Sequence, residues 1–362
     1  MTFTILSDSD VKSILSSLSQ SDVSHVADLF IQSLVQYSCY NEAQYQPERA
    51  VIKRGDQSSV FMPATTPHHI GVKIVGISQA KPPSLNEKPK PGIQATLAIC
   101  DTEGKAVGVL NAAEITAFRT ALGSILLYRL RKRTANIVVF GAGAQARWHI
   151  RLALILRGAD IENITIVNRS KARADELIAG LKETGVPSHV QLHVREEGES
   201  LEDLVVDADV IFCGVPSTTP LFPAKFLTGE KARAKTRYIA AIGSYRLDMQ
   251  EIDPELLKSI ADPAGVFKEQ VWQSKVVVDS AEGCLAEAGE LDRAEIRREG
   301  MLEVGKIQDL RSSESPEGLE QWLADGFVVY KSVGFGIMDI AIGSKLLELA
   351  KEKGRGVYLD DF

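Results

Sequence analysis

Cysteine is sparse: Cys39, Cys100, Cys213 and Cys284 are the four in 362 residues. They lie far apart and form no Cys-x-x-Cys pair, which argues against a zinc ribbon or a thioredoxin-type redox site. Scattered thiols suit a reducing compartment. Long apolar runs are missing as well. No stretch approaches the ~18 residues of a membrane helix. The start, Met1–Asp8, lacks the basic-then-apolar order of a secretory signal, and Asp360-Asp361-Phe362 is no prenylation or retrieval signal. The expected location is cytoplasmic, with no membrane partner. Basic charge is not in excess either. Forty-one Lys+Arg against 48 Asp+Glu leave a net charge of −7, which disfavours nucleic acid or an anionic membrane as main partner, since both attract basic surfaces. Internal repeats and long low-complexity tracts are absent. What remains is an ordinary soluble composition, 44% apolar and 25% charged. The length predicts about two domains at roughly 150 residues each, with ample core and no need of disulfides.

The chain changes rhythm twice. Ser7 is placed to cap a helix over Val11, Ile14, Leu15 and Leu18, and Val26, Leu29, Phe30, Leu34 and Val35 give a second helical stripe. Short β-like runs follow at Arg49–Lys53, Val60–Pro63, Ile70–Ile77, Ala95–Cys100 and Ala106–Asn111, punctuated by the Pro-rich stretch Lys81–Gly92. Glu114–Leu130 reads as a long helix. From Thr134, apolar runs alternate with helices: Asn136–Phe140, Ile164–Asn168, Val190–Val194, Val210–Cys213, Tyr238–Ile242 and, as the expected last strand, Val276–Asp279. That alternation predicts a doubly wound parallel sheet. Arg311–Gly318 reads as a loop, Phe327–Lys331 as a strand and Asp339–Lys351 as a closing helix. The expected fold class is α/β, a Rossmann dinucleotide-binding domain (residues 131–326) plus an α+β substrate and dimerisation domain built from both chain ends (1–130 and 327–362).

A glycine turn sits at the first strand of the alternating region. Phe140-Gly141-Ala142-Gly143-Ala144-Gln145-Ala146 follows an apolar strand and opens a helix. Gly141 permits the tight turn, Gly143 lets backbone approach a pyrophosphate, and Ala146 allows close helix–sheet packing. Phosphates would then meet free N–H groups at the helix N-terminus, with Ala144 and Gln145 alongside. Context rather than the bare motif makes this a dinucleotide signal. The next strand ends in Asn168-Arg169-Ser170-Lys171-Ala172-Arg173. An NAD site usually carries an acid there for the ribose 2′-OH. Asn168 lacks that charge, while Arg169 with Lys171 or Arg173 would grip a 2′-phosphate. The expected cofactor is NADP(H) in preference to NAD(H); the competing reading is a solvated basic helix start. Val215, Pro216, Ser217 and Thr218, after Val210–Cys213, and Gly243, after Tyr238–Ile242, are expected to edge the nicotinamide at the strands' carboxyl ends.

These stretches, with Phe61-Met62-Pro63-Ala64, Gly71-Val72-Lys73, Thr116–Ala121, Ala241-Ile242-Gly243-Ser244 through Glu251, Glu287-Ala288-Gly289-Glu290-Leu291, and Tyr330–Gly334 with Asp339, resemble the ornithine cyclodeaminase/mu-crystallin family over nearly the full length. The resemblance implies a Rossmann domain, a second domain from both chain ends, and a homodimer formed through that second domain. It also implies a substrate carboxylate held by Arg49, Lys73 and Arg119. The residues agree: Arg119 lies in a helical run beside Ala117, Ala121 and Leu122, and Lys73 interrupts an apolar strand, where a charge is costly unless paired. Structural ion pairs are the alternative for all three, most openly for Arg49.

The departures from the family pattern point to chemistry. Deaminating members place an Asp after the glycine that follows the fifth Rossmann strand, where this chain has Tyr245, and an acid two residues before Met-Pro, where it has Val60-Phe61. Asp248 could replace the lost Asp by a shift, or pair with Arg246 or cap a helix. The Gly-Ser-x-Arg-x-Asp stretch is more similar to mu-crystallin and the pyrroline-2-carboxylate reductases. The resemblance thus implies an NADPH-dependent reductase of small cyclic imino acids, with Lys73 as the catalytic residue holding the carboxylate or relaying a proton. The alternatives are an ornithine cyclodeaminase or amino-acid dehydrogenase, an NADP(H)-dependent small-ligand binding protein, and a tailoring enzyme for a larger imine. Glu287 and Glu290 are expected to cap a helix or close a cleft between the domains. His68 and His69 read as surface, and His149 as packing. His25, His189 and His193 have no cluster partner, so no metal is expected.

Overall fold

The computed structural model describes residues 2–78 and 93–362; the Pro-rich stretch Lys81–Gly92 lies outside them. The chain forms two compact units, Met1–Arg119 with Phe335–Phe362, and Thr120–Gly334.

The first unit holds a seven-stranded sheet. Its strands are β1 (Phe3–Leu6), β2 (Ala50–Arg54), β3 (Gln57–Thr65), β4 (His69–Ser78), β5 (Gln94–Asp101), β6 (Ala106–Asn111) and the strand Val357–Leu359. The order is Val357–Leu359, β1, β6, β5, β4, β3, β2. Strands β2 to β6 pair antiparallel, and β1 joins β6 in parallel. Alternation decides the two faces. Met62, Lys73, Leu97 and Leu110 share one row and are all buried. On that face the helix Gly336–Lys353 sets Ile340 over Gly71 and Leu347 over Gly108. The opposite face presents Phe61 and Ile74 in one row and Pro63, Val72, Ala98 and Val109 in the next, all part-exposed or exposed. Ser7 and Ser19 cap the helices Asp8–Ser16 and Gln20–Cys39, each also donating its backbone N–H to an acid at the third helical position.

The second unit is a wholly parallel eight-stranded sheet. Its strands are β7 (Asn136–Phe140), β8 (Asn163–Val167), β9 (Gln191–Val194), β10 (Val210–Cys213), β11 (Tyr238–Ala241), β12 (Val276–Val278), β13 (Met301–Glu303) and β14 (Val328–Lys331), in the order β13-β12-β14-β11-β10-β7-β8-β9. Val210–Cys213, Tyr238–Ala241 and Val328–Lys331 are buried along their whole length, as central parallel strands covered on both faces must be.

Three expectations change here. Phe327–Lys331, assigned by sequence to the end-built domain, supplies β14 inside the second unit's sheet. A short buried apolar run carries no mark of which sheet takes it, and the slot between β11 and β12 suits one buried on both faces. Val276–Asp279 is therefore not the last strand, since β13 follows it at the edge. Arg311 and Ser312, read as loop, end the helix Val304–Ser312. The expected boundaries at 130/131 and 326/327 also differ from the observed 119/120 and 334/335. The helix Ala113–Tyr128 belongs partly to the second unit because Ser124 bonds His149 and Tyr238 there.

Candidate active site

In the first unit, β4 brings Lys73 onto the buried face, and the helix Ala113–Tyr128 brings Arg119. Both meet Asp339, in the first turn of Gly336–Lys353. Lys73 Nζ lies 2.7 Å from Asp339 Oδ2, and Arg119 Nε donates to Oδ1 at 3.2 Å. Relative exposure is 1% for Lys73, 5% for Arg119 and 0% for Asp339. Arg119 uses Nε on the aspartate, and its Nη1 lies 3.7 Å from Met338 Sδ. Arg49, just before β2, is part-buried and close enough to repel the Lys73 ammonium. Burial pushes Lys73 down to about 8; Arg119 and Arg49 add to this, while Asp339 opposes it. Lys73, Arg119 and Asp339 together carry one net positive charge when Lys73 is protonated, a surplus suited to an anion.

The structure brings Lys73 and Arg119 together on Asp339, a partner the sequence does not single out. The signal was present in principle: Asp339 breaks the apolar run Gly336-Ile337-Met338-Asp339-Ile340 as Lys73 breaks its strand.

In the second unit, Gly141 has φ +109°, a backbone region that disfavours a side chain, and its N–H donates to Val167 O on β8. The helix Ala144–Arg157 begins at Gly143 with no side-chain cap, and nothing stands within 4 Å of where a Gly143 Cβ would be. Gly143 and Ala144 are exposed. Gln145 Oε1 is buried without a partner among the described residues. An uncapped, exposed helix start offers its free amides to a phosphate, so the turn fits a dinucleotide. At the end of β8, Asn168 Nδ2 donates to Ser170 O at 2.8 Å, folding the turn that starts the helix Lys171–Glu183. Arg169, Lys171 and Arg173 are exposed around it.

Val215, Pro216, Ser217 and Thr218 leave the end of β10, and Gly243 leaves β11. Val215 N and Gly243 N both donate to the Glu251 carboxylate, each at 2.6 Å. Ser244 beside them is buried, its hydroxyl 2.6 and 2.7 Å from the two Glu290 oxygens, and Lys331 Nζ donates to Ser244 O and Oγ at 2.6 Å. Glu290, expected to cap a helix or close a cleft, is instead fully buried as this hydroxyl's partner. Glu287 ends the helix Ala281–Glu287 and is part-buried. Asp248 pairs with Arg246 through two 2.9 Å bonds on the surface. The Arg246 guanidinium also lies 5.7 Å from the Tyr245 ring centre. His149 is buried between Gln145 O and Ser124 Oγ, and burial pushes it down to about 4, so it is a neutral packing residue. Among the described residues no group of three or more His, Cys, Asp or Glu is placed to hold a metal, and no helix is long and apolar enough to cross a membrane.

The family model for the ornithine cyclodeaminase/mu-crystallin family matches residues 8–354. The chain belongs to this family. Among its relatives, a Delta(1)-pyrroline-2-carboxylate reductase from Bacillus cereus is 27% identical over 296 residues, covering 80% of each chain. The ketimine reductase mu-crystallin of Rattus norvegicus is 27% identical over 262 residues, covering 71% of this chain and 69% of that one. The fold matches that of a Thermococcus litoralis Delta(1)-pyrroline-2-carboxylate reductase solved with NADH and L-proline, with a TM-score of 0.74, 22% identity, and 98% of this chain and 99% of that chain covered.

Proposed function

We infer that this family member is an NADPH-dependent reductase of small cyclic imino acids of the pyrroline- or piperideine-2-carboxylate type. The observation that carries the reading is the buried Lys73–Asp339–Arg119 group: two buried cations share one carboxylate, and a substrate carboxylate would balance the remaining charge. The names of the relatives support the same reaction class.

In this mechanism Arg119 and Arg49 hold the substrate carboxylate and orient the ring, making the encounter a positioned one. Asp339 fixes Arg119 through Nε, and Met338 Sδ lies against Nη1, so the guanidinium is held in one orientation for the substrate. Lys73, with its ammonium poised near neutral pH by burial, delivers the proton that the imine nitrogen needs, directly or through water. Gly141, Gly143, Ala144 and Gln145 cradle the cofactor phosphates; Arg169, with Lys171 or Arg173, meets a 2′-phosphate that Asn168 does not repel; and Val215–Thr218 with Gly243 edge the nicotinamide. When bound, the cofactor supplies the hydride. Tyr245 offers no carboxylate to an amine, which counts against cyclodeamination. The part-exposed apolar row on the first unit's sheet supports a homodimer.

The test is cofactor oxidation across a panel of cyclic imino acids, and keto acids with amines, under NADPH and NADH, with ammonia release from ornithine in parallel. Rapid NADPH oxidation with the imino acids and no ammonia is expected. Strict NADH preference overturns the reading of Asn168 and Arg169, and ammonia release without imine reduction overturns the reductase reading.

A further inference from the structure

Glu251 takes part in no step above, yet it stands at the end of the sheet where those steps need order. The last rung between β10 and β11 is Ile242 N donating to Cys213 O at 3.0 Å. Beyond it the next two amides, one from each chain, turn to the Glu251 carboxylate. One oxygen accepts from Val215 N and the other from Gly243 N, both at 2.6 Å, with the side chain fully buried. The approach is close: a Cβ on Gly243 would lie 2.6 Å from Glu251 Oε1 and 2.4 Å from Val215 N, so glycine is required there. The same segment straps the loop along its length. Gln250 N donates to Ser217 O at 2.8 Å, Gln250 Nε2 to Thr218 O at 2.9 Å, and Leu221 N to Glu251 O at 2.9 Å.

A carboxylate suits this position for a simple reason. Two N–H groups converge on it, and only an ionised carboxyl offers two full acceptors; an amide or a protonated acid presents a donor to one of them. We propose that Glu251 is a positioning residue that sets the loop Val215–Thr218 against Gly243 and so shapes the nicotinamide end of the dinucleotide site. The inference rests on the dinucleotide reading above. Its pH consequence follows from the surroundings. Burial raises Glu251 to about 7, with Glu290 adding to the rise and Lys331 and the two amides opposing it; Cys213, which also feels Glu251, is a neutral thiol pushed up by burial. As pH falls through 7 the carboxyl takes up a proton, one amide loses its acceptor, and the loop loosens.

The experiment is a substrate-free binding titration of NADPH and of NADH on the full chain from pH 6 to 8.5, for wild type, Glu251→Gln and Glu251→Asp. Using both nucleotides separates Glu251 from the titration of the 2′-phosphate. Wild type is expected to bind both more weakly as pH falls through about 7. Glu251→Gln binds about tenfold more weakly at pH 8, the loss expected for one charge-assisted hydrogen bond, and without that pH step. In turnover it raises KM for the nucleotide while leaving KM for the imine within about twofold. Glu251→Asp keeps the pH step. If Glu251→Gln does not fold, the wild-type titration alone decides, and affinity for NADH flat across the range overturns the proposal. Equal affinities of wild type and Glu251→Gln at every pH also overturn it. A wild type that binds neither nucleotide overturns the cofactor reading, and this inference with it.

Discussion

At the scale of single residues the site rests on one carboxylate shared by two buried cations. Removing one partner of a buried ion pair leaves an uncompensated charge and costs roughly 3–5 kcal/mol. Asp339→Asn is therefore expected to lower stability by about that amount in denaturant unfolding. It should also move the proton-donating limb of the pH profile: kcat/KM for wild type should fall as pH rises through about 8, where Lys73 loses its proton, and in Asp339→Asn the fall should begin at lower pH because the attracting anion is gone. A profile unchanged by the substitution would remove Lys73 from the role of acid. The stability sign follows from the same shift. A basic group depressed by burial costs the fold stability while charged, so that cost is present below about 8 and is relieved as pH rises from there toward the ordinary lysine value. Lys73 and Arg119 were legible in the sequence because a charge inside an apolar run needs an explanation. Asp339 was not, since it lies 220 residues from Arg119 and an acid in the first turn of a helix is already explained by the helix dipole. Glu251 was hidden for a similar reason: its partners are backbone amides, which leave no mark in a sequence.

At the scale of elements, the strand–glycine turn–helix unit could be read directly because every part of it is local. Gly141→Ala tests it. A side chain at φ +109° is strained by roughly 1–3 kcal/mol, and its Cβ would crowd Gly214 O at 3.2 Å, so dinucleotide affinity should fall at least about tenfold while the chain stays folded. Unaltered affinity would move the phosphate site elsewhere. Arg169→Glu tests the neighbouring turn, with KM for NADPH expected to rise at least about tenfold and KM for NADH to hold within about threefold. Equal changes for both would return Arg169 to the role of a solvated helix start. Among the strands, β1, β13 and Val357–Leu359, of three or four residues each, escaped, as did the sheet assignment of β14. Short strands owe their existence to distant partners: β1 is held by β6 on one side and by Val357–Leu359 on the other. Local propensity cannot carry that information.

At the scale of the whole molecule, a net charge of −7 coexists with local groups of cations at Lys73–Arg119–Arg49 and around Arg169. The sign of the total describes the solvated surface, and the local groups are where the proposed substrate carboxylate and 2′-phosphate would bind. The exposed apolar rows of the first unit, with Ile74 at 41% and Ile52 at 52% relative exposure, predict self-association. Ile74→Glu should give a monomer by light scattering at a concentration where wild type is a dimer, and a monomeric wild type would contradict this. The central claim is hydride transfer to an imine carbon. The most direct measurement is turnover of pyrroline-2-carboxylate with NADPH deuterated at both C4 positions, followed by mass and NMR analysis of the product. Proline carrying one deuterium at Cα is the predicted result; proline with no deuterium, or no proline at all, would contradict the account.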